Sequence, residues 1–221
     1  MNNDEKLQQN IEQALKWEPL LVGAALGVIV REGIVTLTGT VDSYAKKRVA
    51  EHATKSVKGV KAVIERIEVS FSTTGHQTDP EIAKAVLHAL KCNLDVPEDQ
   101  IQVQVEHGWV MLQGTVQWNV QKQAAQNCIE NILGIRAVDN NIIIRSGTED
   151  EIEKLDIQNA LIRNWAIEEK NIKVDVFGNN VTLTGNVHSI FQKDEAERMA
   201  WKAPGVWNVH NELLVSYTLD K

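Results

Sequence analysis

Six histidines (His52, His76, His88, His107, His188 and His210) and two cysteines (Cys92 and Cys128) are the side chains best suited to general-base, nucleophilic or metal-binding chemistry near neutral pH. Their spacing assembles no such site. There is no H-E-x-x-H, no Cys/His pattern with zinc spacing, and no glycine-rich phosphate loop leading into a helix. Two cysteines cannot make a disulfide framework, and they read as buried or half-buried thiols on two helices. Tryptophan is the more telling residue type. It supplies six of the eleven aromatics in 221 residues, and its amphipathic ring suits an interface.

The elements that must position these residues come from self-comparison. Val35-Thr36-Leu37-Thr38-Gly39-Thr40-Val41 returns as Val110-Met111-Leu112-Gln113-Gly114-Thr115-Val116 and as Val181-Thr182-Leu183-Thr184-Gly185-Asn186-Val187, at offsets of 75 and 146. Twenty residues after each of those glycines stands another: Gly59, Gly134 and Gly205. Three copies in one register define a tandem repeat. The middle copy has four extra residues after its first helix, around Asp95-Val96-Pro97-Glu98. The histidines occupy six different registers, whereas a site carried by every copy would place them in one. No catalytic residue, metal ligand or cofactor is expected.

Each copy reads as helix, strand, strand, helix, strand. Ile82, Ala85, Val86, Ala89 and Leu90 follow helical spacing, with Asp79-Pro80 opening that helix and a Thr148/Glu151 capping box opening its counterpart in the third copy. Two segments of period two then meet at Glu32-Gly33, His107-Gly108 or Gly178-Asn179, where a hairpin turn is easily made. Ser43 and Ser189 stand as N-caps of a second helix that ends at Gly59 or Gly205. The last strand follows a helical crossover, so it pairs parallel to the second. Val35/Leu37, Val110/Leu112 and Val181/Leu183 are apolar in every copy and face the helices, whereas Ile34/Thr36, Trp109/Met111 and Asn180/Thr182 vary and face away. The fold class is α+β: three tandem α-β-β-α-β units at residues 4–71, 79–146 and 150–217, each a small three-stranded mixed sheet with two helices on one face.

Register also singles out residues that this fold does not need. Trp118 stands where the other copies have Ser43 and Ser189, Trp201 where they have Lys55 and Glu130, and Trp207 where they have Lys61 and Arg136. Trp109 lies on the outward face beside Met111. Such tryptophans either fill contacts between units or stay exposed and insert at a membrane or protein interface. Charge runs in parallel. The three copies carry +1, −3 and −5, and within the first the second helix gathers Lys46, Lys47, Arg48, Lys55 and Lys58, a candidate contact for anionic lipid. Opposite charge at the two ends permits self-association. A net charge of −7 and the lack of repeated basic and aromatic stacking positions disfavour nucleic acid. The apolar run from Leu20 to Val30 is too short for a transmembrane segment. The N-terminal residues lack the basic start of a secretory leader, so the expected location is the cytoplasm, or the cell envelope if a leader has been removed.

The Val-x-Leu-x-Gly-x-Val strand and the glycine pairs Gly39/Gly59, Gly114/Gly134 and Gly185/Gly205 resemble the BON domain (bacterial OsmY and nodulation) in three tandem copies. The resemblance implies a small α/β sandwich without catalytic residues, found in proteins of osmotic stress and of the bacterial envelope, some in contact with phospholipid. The expected function is therefore non-enzymatic binding of an anionic phospholipid membrane or a protein partner. Alternatives are an interaction scaffold without lipid affinity and, by likeness to a potassium-responsive relative, a protein that senses a monovalent cation.

Overall fold

A computed structural model describes residues 3–71, 77–145, 157, 159, 172–203 and 205–216. The first repeat comprises α1 (Asn3–Lys16), β1 (Ala25–Arg31), β2 (Ile34–Val41), α2 (Tyr44–Ser56) and β3 (Ala62–Val69). The second comprises α3 (Asp79–Cys92), β4 (Ile101–Glu106), β5 (Trp109–Val116), α4 (Asn119–Asn127) and β6 (Ala137–Ile144). In the third, β7 (Ile172–Phe177), β8 (Asn180–Val187), α5 (Ile190–Ala200) and β9 (Asn208–Val215) are described. Its first helix is represented by the buried Ile157 and by Asn159, and the expected Thr148/Glu151 capping box lies outside the described residues.

Each sheet has three strands in the order first, second, third. The hairpins β4–β5 and β7–β8 are antiparallel, and the crossovers bring β6 beside β5 and β9 beside β8 in parallel. This is the mixed sheet that the repeat pattern predicts. Val35, Leu37, Val110, Leu112, Val181 and Leu183 are at most 1% exposed, under helices that contribute Leu7 and Ile11, Ile82 and Val86, or Ala196 and Ala200. The described residues fall into two compact units, one within residues 1–39, 48–67 and 148–221 and the other within 40–47 and 68–147.

Two polar devices recur between copies. The Asp4 carboxylate accepts hydrogen bonds from the Glu32 and Gly33 N–H groups at 2.9 and 3.4 Å, and Asp79 does the same for His107 and Gly108 at 2.8 and 2.9 Å. The first helix thereby latches the hairpin turn, where Glu32 and His107 hold positive φ. Donation from the His107 and then the Gly108 N–H also holds the Asp79 carboxyl below the ordinary aspartate range. Asn140 and Asn211 tie the third strand to the second helix, donating to the Lys122 and Lys193 carbonyls at 2.8 Å in both copies.

The strand glycines have a steric cause. A Cβ on Gly39 would lie 2.1 Å from the Ala25 carbonyl oxygen, and one on Gly114 would lie 2.0 Å from that of Gln100. Both residues also hold positive φ. The neighbouring backbone crosses too closely for any side chain.

Candidate functional site

The α2 cations are engaged and half-buried rather than free. Ser43 Oγ accepts from the Lys46 N–H at 3.4 Å, capping the helix, and the Lys46 ammonium pairs with Asp42 at 2.7 Å. That pairing draws the Asp42 carboxyl below its usual range. Lys55 lies 2.8 Å from Glu51 and 3.8 Å from Asp194 of α5. Lys47, Arg48 and Lys58 also have partners and are partly buried.

Within the compact unit that holds residues 48–67 and 148–221, α2 meets α5 at two points, and a backbone hydrogen bond joins the segments flanking them. His52 packs edge-on against Phe191 with centroids 5.7 Å apart, Lys55 approaches Asp194, and the Gly59 N–H donates to the His188 carbonyl at 3.0 Å. Burial pushes the Asp194 carboxyl up, partly offset by Lys55 and reinforced by the negative charge of Glu197 and Glu51. Of the cations expected to contact lipid, Lys55 is thus committed to an interaction inside the protein.

The tryptophans divide. Trp109 is 56% exposed on the outward face of β5, Trp207 is 41% exposed, and Trp118 is 38% exposed at the head of α4. Trp118 cannot act as the serine cap does. The other half of the cap remains, Gln121 Oε1 accepting from the Gln117 and Trp118 N–H groups at 3.0 Å each, as Gln192 accepts from His188 in the third repeat. Trp201 corrects the expectation from register. It packs against the third repeat's own core, with its indole N–H donating to Glu197 at 3.4 Å.

One apolar feature escapes the repeat analysis. Trp17, 84% exposed, stands with exposed Leu20 and Val22 in the connection between α1 and β1, next to Lys16. A depression of about 650 Å³ lies beside it, lined in part by Leu15, Leu21, Val22 and Leu26. The same connection in the second repeat exposes Leu94 completely. The available signal was a tryptophan and two apolar residues between two periodic segments, with no inward register of their own.

The thiols differ from each other. Cys128 is half-buried, and burial pushes its thiol up, whereas Cys92 at the end of α3 is exposed with its sulfur 3.6 Å from His88 Nε2. The expectation of two buried or half-buried thiols fails at Cys92 because α3 buries the stripe Ile82, Val86 and Leu90, and Cys92, two residues beyond Leu90, falls on the opposite side of the helix. Among the described residues no three His, Cys, Asp or Glu side chains cluster as metal ligands, and no described helix is long and apolar enough to cross a membrane.

The glycine that follows each second helix, Gly59, Gly134 or Gly205, holds positive φ. Gly134 has φ +90°, and a Cβ there would press within 2.8 Å of the Ile82 side chain. The backbone conformation at these positions accounts for the three glycines on structural grounds.

The chain is 25% identical over 144 residues to Osmotically-inducible protein Y of Escherichia coli (strain K12), a match covering 63% of this chain and 72% of that protein. Among solved structures it resembles CdsD, a structural protein of the Type III secretion system of Chlamydia trachomatis, at 16% identity and a TM-score of 0.26, over 96% of this chain and 92% of the other. The C-terminal domain of CdsD matches at the same identity and score, over 94% and 96%. The BON domain model matches three times, at residues 3–70, 78–146 and 149–217. With nearly its whole length accounted for by three copies of that non-catalytic module, the chain belongs to the BON domain family and is a non-enzymatic protein.

Proposed function

We propose that this protein is a stress-response binding protein that contacts an anionic phospholipid surface. The carrying observation is the exposed apolar connection Trp17, Leu20 and Val22, flanked by Lys16. Exposed tryptophan and aliphatic side chains beside a cation partition into the lipid headgroup region. The cations Lys46, Lys47, Arg48 and Lys58, each partnered yet partly exposed, add electrostatic attraction of at most about 1 kcal/mol each, and Trp118 offers a separate amphipathic contact. Likeness to an osmotically inducible protein supports the stress-response part of the reading.

The pairing of α2 cations with Asp42, Glu51 and Asp194 favours a second reading, a protein-interaction scaffold without lipid affinity. Flotation with anionic and neutral vesicles, at low and moderate salt, separates the two. The membrane reading predicts salt-sensitive flotation on anionic vesicles alone, lost in the Trp17→Ser/Leu20→Ser variant and weakened in Lys47→Glu/Lys58→Glu. No flotation of the unaltered protein selects the scaffold.

A further inference from the structure

The outward face of the second repeat's sheet holds a shallow cavity of about 290 Å³ whose walls include Glu106, Trp109, Met111 and Asp139. Strand register sets their arrangement. Glu106 on β4 lies directly opposite Trp109, and Asp139 on β6 lies directly opposite Met111. Trp109 and Met111 are two residues apart on β5, so a tryptophan–thioether row runs between a carboxylate on each side. Gln113 steadies the thioether, its side-chain N–H donating to Met111 Sδ at 2.9 Å. His107 Nδ1 lies 3.9 Å from Glu106, completing the charged or titratable lining.

The fold does not demand this constellation. At the matching positions the first repeat has Arg31, Ile34, Thr36 and Ile64, and the third has Phe177, Asn180, Thr182 and His210. Neither puts an aromatic ring between two acids, and the first puts an arginine where Glu106 stands. An exposed indole, a polarizable sulfur and two carboxylates attract a cation. A primary ammonium carries strongly held water and needs several acceptors, whereas a quaternary ammonium presents methyl groups that pack on the indole while its charge faces the carboxylates. We propose that this cavity binds a small quaternary ammonium compound.

The test is titration of the uniformly 15N-labelled full chain with tetramethylammonium chloride, against sodium chloride at equal ionic strength. The Trp109 indole N–H signal is identified by its absence in Trp109→Leu. The proposal predicts saturable, millimolar shifts confined to Trp109 and its cavity neighbours. Asp139→Asn weakens binding about two- to fivefold while leaving spectral dispersion intact, and Trp207→Leu leaves binding unchanged. Linear shifts without saturation, equal shifts with sodium, or binding retained in Trp109→Leu would overturn it. Equal affinity for an N-acetyl-lysine amide would also overturn it, pointing to a partner's lysine instead.

Discussion

Strands β2 and β5 share a backbone, a hairpin turn and an inward row of Val and Leu, yet their outward rows differ at the end next to the turn. Ile34 and Thr36 stand in one, Trp109 and Met111 in the other, with Arg31 and Ile64 beside the first pair and Glu106 and Asp139 beside the second. The inward positions are tied by close packing, where a single methylene is felt. The outward positions are released from that constraint and carry the chemistry particular to each repeat. The same backbone thus serves as a common frame with separately specified surfaces.

The frame breaks most readily at its strand glycines. Gly114→Ala drives a methyl group into the Gln100 carbonyl, and a loss of about 3 kcal/mol or more is expected in urea unfolding. Gly23→Ala is the control. Gly23 also has positive φ but nothing within 4 Å of a new Cβ, so only backbone strain of about 1–2 kcal/mol remains.

Next comes the contrast between the two sides of β5. Leu112→Ala empties a fully buried position and costs about 2–5 kcal/mol, whereas Met111→Ala, one residue away and facing outward, costs less than about 1 kcal/mol. Equal losses would contradict the division of faces.

A smaller effect sharpens the link between the frame and its turn. Because hydrogen bonds from His107 and Gly108 depress the Asp79 pKa, the latch contributes in full above the unfolded carboxylate value of about 3.9 and is lost as pH falls through the lower folded value. Asp79→Asn is expected to lower stability at neutral pH and to flatten the acid limb of a stability–pH curve.

Asp194 has the opposite sign and the smallest effect. Its folded pKa is raised, so the ionised carboxylate opposes folding at neutral pH, and this opposition fades as pH falls through the folded value toward the unfolded one. Asp194→Asn should raise the Tm slightly at pH 7 and leave it unchanged near pH 3.

The common frame was legible because three copies reported each inward position three times. Val35, Val110 and Val181 agree, and period two assigns their side. Asp4 and Asp79 hid as turn latches because an acid in the first turn of a helix already has an electrostatic explanation. Asn140 and Asn211 look like polar interruptions of a strand until the carbonyls of Lys122 and Lys193 are seen above them. Trp201 misled for a specific reason. Lys55 and Glu130 at that position are themselves half-buried, so charge there does not mark a solvent-facing site, and a tryptophan packs against the core without disturbing the fold. Trp17 was hidden because it falls between α1 and β1, where neither periodicity speaks.

Tryptophan quenching by brominated lipids in anionic vesicles reports whether exposed residues outside the shared frame meet a lipid surface. Strong quenching of the unaltered protein and a marked reduction in Trp17→Phe are expected, with no quenching on neutral vesicles. Quenching that is absent on anionic vesicles, or identical in Trp17→Phe, would contradict that contact.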